Sequence, residues 1–210
     1  RCPSGLATLP WVPEGSGDSL TGECRRVFVR KMIVIGLDKD LLFLIEDEAV
    51  AEVVGYAALK PDPTLAYPHL GNDALAAAGL PDNTTAIMGL DKGPAKRAAL
   101  GHYVGTGITF ETIVSLSAEI DREASIGRGC VVQKGVFISK SVALGDFVKV
   151  NFGASIAHDS VVGDFVTVSP RATLLGNVRV GAGSYVGAGA IILQRVQIGC
   201  DCIVGAGAVV

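Results

Sequence analysis

The chain is short of rings, of charge and of histidine. One Trp, four Tyr and seven Phe stand among 210 residues, too few for a core built on aromatics. Charged residues are only 19%, yet charged or polar residues break every apolar stretch well short of the roughly 18 that span a bilayer. An integral membrane protein is therefore excluded. Net charge is −3 and the isoelectric point about 5.6. With no basic stripe, a nucleic-acid binder has no electrostatic footing. The five cysteines (Cys2, Cys24, Cys130, Cys200 and Cys202) are odd in number and show no Cys-x-x-Cys spacing. That argues against a disulfide framework or zinc site and for a reducing cytosol. The first thirty residues lack a basic region followed by an apolar core, so no signal peptide is expected.

Glycine and branched aliphatics are what the chain does have. It holds 27 Gly, with 14 Ile, 19 Leu and 26 Val, and mean hydropathy is +0.45. Such a chain has too much to bury to be disordered. Glycine does not recur every third residue, so it is not collagen. Many β-branched residues and glycines with few rings predict a repetitive β architecture with tight turns.

Residues 1–30 are rich in Gly, Pro and Ser without periodicity and are expected to be a poorly ordered extension. Met32 opens the first clean strand pattern and is the expected natural start. Val210 falls inside a repeat, so the chain is read as a fragment trimmed at least at its C-terminus. Strands are expected at 31–36, 53–59 and 84–89, and helices at 40–52, 73–79 and 93–101. Strand and helix alternation favours a small parallel α/β domain over 31–110.

From about residue 111 the pattern changes. Every sixth residue from Val114 to Val210 is Ile, Leu or Val, without exception. The fourth residue after each, such as Cys130, Ala154, Ser160 or Cys202, is small or Val. A fixed period of this kind marks a solenoid. Each hexapeptide supplies a short strand and a corner, and the aliphatic and the small residue point inward. Three hexapeptides make an 18-residue coil, and 111–210 should form about five coils spaced about 4.8 Å apart. Glycine directly follows the aliphatic at Gly127, Gly145, Gly163, Gly181, Gly187, Gly199 and Gly205, where a corner needs unusual dihedrals or close backbone approach. Cys130 and Cys202 are expected as small core residues.

Only His69, His102 and His158 carry an imidazole. His69 and His102 fall in the α/β region and are read as bystanders. His158 stands third in its hexapeptide, at a corner, where an imidazole suits general-base work near neutral pH. Eighteen residues later comes Gly176, which should lie directly over His158, one coil away. A glycine there leaves room for a ligand and offers a backbone N–H to a developing oxyanion. Phe147 and Phe165 are also one coil apart. They form either a subunit contact or a ladder shielding the coil.

The repeat resembles the left-handed parallel β-helix of hexapeptide acyltransferases. The hand comes from that resemblance, since the general crossover rule favours the other. Within it, the segment VNFGASIAHDSVVGDFVTVSPRATLLGNVRVGAGSYVGAGAIIL (150–193) is similar to the sialic acid O-acetyltransferase-like group, which includes UDP-4-amino-sugar N-acetyltransferases. Its most specific part is the pair His158–Asp159, followed by VVGDF and LLGNV. The resemblance implies a Rossmann-like N-terminal domain and acetyl-CoA as acyl donor, with no metal. It also implies a sugar or nucleotide-sugar acceptor and a homotrimer with active sites between neighbouring helices. It assigns His158 as base, Asp159 as its support and the Gly176 N–H as contact to the acetyl carbonyl. Backbone groups at Ala188 and Ala206 are implied to bind the donor, and Asn151 to aid the site.

The α/β region departs from that group. A Gly-rich turn is expected after the first strand, but only Gly36 remains in Gly36-Leu37-Asp38-Lys39-Asp40. Ala57 and Ala58 stand where an acidic pair is expected after the second strand. Backbone approach to phosphates needs glycines, so nucleotide binding at this turn is in doubt. A sugar O-acetyltransferase and a non-catalytic β-helix paralogue stand as alternatives. A metal-dependent enzyme like γ-class carbonic anhydrase would need three histidines where the repeats hold only His158. Antibiotic acetyltransferases of this fold interrupt the helix with a loop that is absent here. Serine acetyltransferases carry a helical N-terminal region, unlike the strand patterns of 31–110.

Overall fold

The computed structural model describes residues 30–48, 50–73, 76, 80 and 84–210. The expected extension, apart from Arg30, and most of the expected helix at 73–79 lie outside them. Strand β1 (Lys31–Ile35) is central in a parallel sheet with β2 (Glu52–Ala57), β3 (Thr85–Met88) and β4 (Thr109–Phe110), in the order β2-β1-β3-β4. Four consecutive apolar residues of β1 are buried, as a strand covered on both faces requires. Helix α1 (Lys39–Asp47) starts where the Asp38 carboxylate accepts from the Leu41 N–H at 3.1 Å, a side-chain N-cap. It buries Leu41, Leu42, Leu44 and Ile45. The helix ends at Asp47, short of the expected 52, because the chain must turn back to begin β2. Helix α2 (Gly93–Tyr103) opens with a proline in its first turn, where the missing N–H costs nothing.

From Ile113 to Val204, sixteen two-residue strands wind into three parallel faces of six, five and five strands. The first face runs from Ile113–Val114 to Ile203–Val204, the second from Glu119–Ile120 to Ile191–Ile192, and the third from Ser125–Ile126 to Gln197–Ile198. Pairing partners are eighteen residues apart, as in Lys149↔Thr167, Ser155↔Thr173 and Ala143↔Val161. The expected coil of three hexapeptides holds, and the stacked coils fit a left-handed β-helix. Val132, Ile138, Val150, Ile156, Val168 and Leu174 are buried in one core, joined by Cys130, Val136, Ala154 and Ala172 from the small positions. Each buried aliphatic contributes about 1.5–3 kcal/mol, and the ladder of coil-to-coil hydrogen bonds keeps the backbone satisfied.

One particular differs from expectation and two are narrowed to one of the alternatives. Cys130 is buried, and burial first of all pushes its thiol up to about 12, but Cys202 is exposed. It stands in the last coil of this sequence. Five glycines after the aliphatic (Gly127, Gly145, Gly163, Gly181 and Gly187) serve close approach. A Cβ on Gly163 would meet Ala182 N at 2.8 Å, and one on Gly187 would meet Ala206 N at 2.5 Å. The positive-φ residue stands two places later and need not be glycine: Phe147, Asp159, Phe165 and Asn177 all have φ near +60°. Finally, Phe147 and Phe165 are a stacked pair (centroids 5.3 Å, interplanar 0°), and Phe147 meets Phe110 edge-on. They are not an outer subunit contact, because the chain's own α/β region covers them.

That region docks on the first face and on the edge that follows the third. Lys96 of α2 is fully buried, and its ammonium donates to Phe147 O (3.1 Å), Val166 O (3.1 Å) and Thr167 Oγ1 (2.8 Å). Lys149, 4% exposed, pairs with Asp38 at 2.5 Å and Asp91 at 2.6 Å. Burial works against the Lys149 charge, but the two carboxylates outweigh it and hold its pKa above the ordinary value.

Candidate functional site

His158 stands on the edge after the second face. The hydrogen bond from Asp159 N to Lys140 O (3.1 Å) ties this corner to the coil below, and that from Asn177 N to His158 O (2.9 Å) ties it to the coil above. The imidazole and the Asp159 carboxylate are each 55% exposed. His158 Nδ1 donates to Asp159 Oδ2 at 2.8 Å. A carboxylate only accepts, so in the neutral ring the proton sits on Nδ1 and the Nε2 lone pair is left for a substrate. Asp159 reaches its neighbour from a left-handed backbone conformation (φ +60°), which turns its side chain toward the ring.

Gly176 lies over this imidazole, as the eighteen-residue spacing requires. A Cβ there would stand 2.7 Å from both Cε1 and Nε2 of His158. Its carbonyl accepts from Arg195 N at 3.1 Å, while among the described residues no acceptor engages its N–H. The imidazole and the backbone of residue 176 thus stand against one another at the corner.

The other expected residues are not beside them. Asn151, Ala188 and Ala206 lie on the edge after the first face. Asn151 is buried and donates from Nδ2 to Val168 O at 3.3 Å. Ala188 and Ala206 are exposed and stack one coil apart, with Gly207 N donating to Ala188 O at 2.8 Å. Within one chain the expected set therefore divides between two edges. His69 bonds Ala58 O through Nε2 at 2.8 Å and packs on Tyr56, a role within the α/β region.

One residue of the same column escapes sequence reasoning. Gln133, one coil before Asn151, is 3% exposed and its Nε2 has no partner. Its signal is the column Ser115, Gln133, Asn151, Ser169, which stays polar in a buried position. The turn after β1 is closed by its own neighbours. A Cβ on Gly36 would meet Leu90 Cδ2 at 2.5 Å, and Asp38 is committed to α1 and to Lys149.

Residues 159–194 match the family described as bacterial transferase hexapeptide (six repeats). Comparison with curated proteins finds no match. Among solved structures, the acetyltransferase domain of PglB from Neisseria gonorrhoeae FA1090 is similar at 26% identity and a TM-score of 0.80, over 86% of this chain and 91% of that one. Perosamine N-acetyltransferase from Caulobacter crescentus, solved as a histidine-to-asparagine mutant with CoA and GDP-perosamine, is similar at 26% identity and a TM-score of 0.75, over 86% and 88%. WeeI from Acinetobacter baumannii AYE shares the fold at 22% identity and a TM-score of 0.77, over 86% and 91%. Repeat, coil and likeness support a hexapeptide-repeat acetyltransferase. Within that class its similarity is to sugar N-acetyltransferases.

Proposed function

We propose that the protein transfers an acetyl group from acetyl-CoA to an amino group of a nucleotide-linked sugar. The observation that carries this reading is the His158–Asp159 pair with Gly176 over the ring. His158 Nε2 takes a proton from the amine as its nitrogen attacks the thioester carbon. The Gly176 N–H steadies the oxyanion. The carbonyl re-forms, the C–S bond breaks, and the thiolate leaves with the proton held on His158. Asp159 keeps the ring in the required tautomer and stabilises the imidazolium. Structures of the PglB domain with acetyl coenzyme A, and of the perosamine enzyme with CoA and GDP-perosamine, support donor and acceptor class.

Backbone groups at Ala188 and Ala206, with Asn151, hold the donor along their own edge. Because that edge is not the edge of His158, a complete site needs two chains. The second face, which joins the two edges, bears Phe137 and Ile191, 46% and 39% exposed, and is the proposed contact surface of a homotrimer. Residues 31–110 form a Rossmann-like domain, supported by the parallel order β2-β1-β3-β4, and 111–210 the β-helix. Among the described residues no helix is long and apolar enough to cross a membrane, and the cytoplasm, where acyl-CoA donors are made, is the proposed location.

The test is release of CoA from acetyl-CoA with UDP-, TDP- and GDP-linked amino sugars. Replacing His158 by Ala should lower turnover at least about 100-fold with acetyl-CoA still bound. Near-normal turnover in that variant would sink the assignment of the base.

A further inference from the structure

We propose that Ser160 is a positioning residue for the reaction: its buried hydroxyl holds the peptide between Leu175 and Gly176 so that the Gly176 N–H is aimed out of the coil at the His158 corner. This rests on the transferase reading above, which makes that N–H the oxyanion donor, and it names what aims it. Ser160 is fully buried. Its Oγ donates to Leu175 O at 3.1 Å and accepts from Val178 N at 3.1 Å. A hydroxyl has one proton to give and a backbone N–H can only donate, so the direction of both bonds is settled.

The Leu175 carbonyl and the Gly176 N–H belong to one peptide unit. That unit is planar and trans, since the described residues contain no cis bond, so its C=O and N–H point in opposite directions. The carbonyl is turned inward, to a serine with no exposed surface. The N–H of the same plane is therefore turned away from the interior, at the corner where a Cβ on residue 176 would stand 2.7 Å from the imidazole. Rotation of the plane about its flanking bonds would spoil this aim, and the hydroxyl opposes it from the carbonyl end. A hydrogen bond at the carbonyl also polarises the peptide and strengthens its N–H as a donor.

The same stitch occurs elsewhere in the coils. Thr112 Oγ1 donates to Gly127 O at 3.0 Å and accepts from Cys130 N at 3.2 Å. Ser184 Oγ donates to Gly199 O at 2.7 Å and accepts from Cys202 N at 3.0 Å. Each time the carbonyl lies fifteen residues on and the N–H eighteen. Corners without a hydroxyl close directly, as where Val196 N donates to Leu193 O at 3.3 Å and Ala172 N to Ser169 O at 3.1 Å. A corner therefore does not need the stitch in order to form. On the edge of His158 the inward small position reads Ala124, Val142, Ser160, Val178 and Val196. Its one hydroxyl serves the one peptide that ends at Gly176. The other two stitches lie on the edge after the third face, away from the histidine.

Steady-state release of CoA by the intact protein tests this, with acetyl-CoA and whichever UDP-, TDP- or GDP-linked amino sugar the parent accepts. Ser160→Ala removes the stitch and sets at 160 the residue found at Ala124, so it should fold. Its kcat should fall at least about tenfold. Both KM values should stay within about twofold of the parent, because the oxyanion exists only in the transition state, and acetyl-CoA affinity by calorimetry should be unchanged. Ser160→Thr can make both bonds, as Thr112 does, and Val142 and Val178 show that the column takes a side chain of that size. It should keep kcat within about twofold of the parent. Ser184→Ala loses the same two bonds on another edge, so it should lower the thermal midpoint as much as Ser160→Ala does and leave kcat alone. Parent-like kcat in Ser160→Ala, or equal kcat losses in Ser160→Ala and Ser184→Ala, overturns the positioning role and leaves the transferase standing. A loss confined to the KM for acetyl-CoA also overturns it, making Ser160 part of donor binding. A parent that releases no CoA with any of these sugars brings down the transferase reading, and the positioning role with it.

Discussion

At the scale of single residues, His158 and Gly176 are proposed to act as one device. A Cβ on residue 176 would stand only 2.7 Å from two atoms of the imidazole, so Gly176→Ala should push the ring away from the space it is proposed to serve. The backbone there is not in the left-handed region, and the collision is with a partly exposed side chain, so the fold should survive. Turnover should fall at least about tenfold, with the thermal midpoint within a few degrees of the parent. A drop in midpoint matching a core defect would instead make Gly176 a packing residue. This pairing is legible in the sequence, because a strict six-residue period turns sequence distance into position: eighteen residues are one coil. The hydrogen bond from Nδ1 to Asp159 is not legible there, since it depends on a left-handed dihedral at a residue type that visits it only occasionally. Gln133 escapes for another reason. Its partnerless amide exists only once α1 lies against the edge, a contact of residues some ninety apart.

At the scale of elements, the junction of α2 with the coils turns on Lys96. In the unfolded chain a lysine titrates near 10.4. In the folded protein burial, and then the charge of Lys149, lower it to about 7. Between those values the unfolded state holds a proton that the folded state has released, so this residue makes stability rise with pH across that window. Below about pH 7 both states are protonated and the cost of the buried charge is felt in full. Measured as the difference from Lys96→Met, the unfolding free energy of the parent should climb by about 1 kcal/mol per pH unit between pH 8 and 10. Urea melts at the two pH values check it, and a flat difference would show that Lys96 keeps its proton. Nothing in the periodicity announces this lysine. The α/β region and the repeats are legible separately, from strand–helix alternation and from the period. Their docking is not, because Phe147 and Phe165 have the spacing of an outer edge, and only the fold brings Phe110 and α2 over them.

At the scale of the whole molecule, the candidate site residues lie on two edges, and the proposed assembly would complete the site. Phe137 and Ile191 are the large exposed apolar side chains on the second face, so a double Phe137→Asp, Ile191→Asp variant should be monomeric by light scattering and lose at least about 100-fold in turnover. A monomeric parent with full activity would contradict the division of labour.

The eighteen-residue coil also makes tolerance to changes in length discontinuous. Loss of six residues upstream of His158 within the coils would keep every aliphatic inward and leave the core whole. It would nevertheless carry the histidine to a different edge. Loss of eighteen would return it to its own edge, with His158, Gly176, Ala188 and Ala206 still in register with one another and their height against the α/β region changed by one step of about 4.8 Å. Foldability thus has a period of six, the identity of the edge relative to the α/β region a period of eighteen, and its height against that region no period at all. Of the lengths that this architecture can fold, only one keeps the His158 edge level with the α/β region.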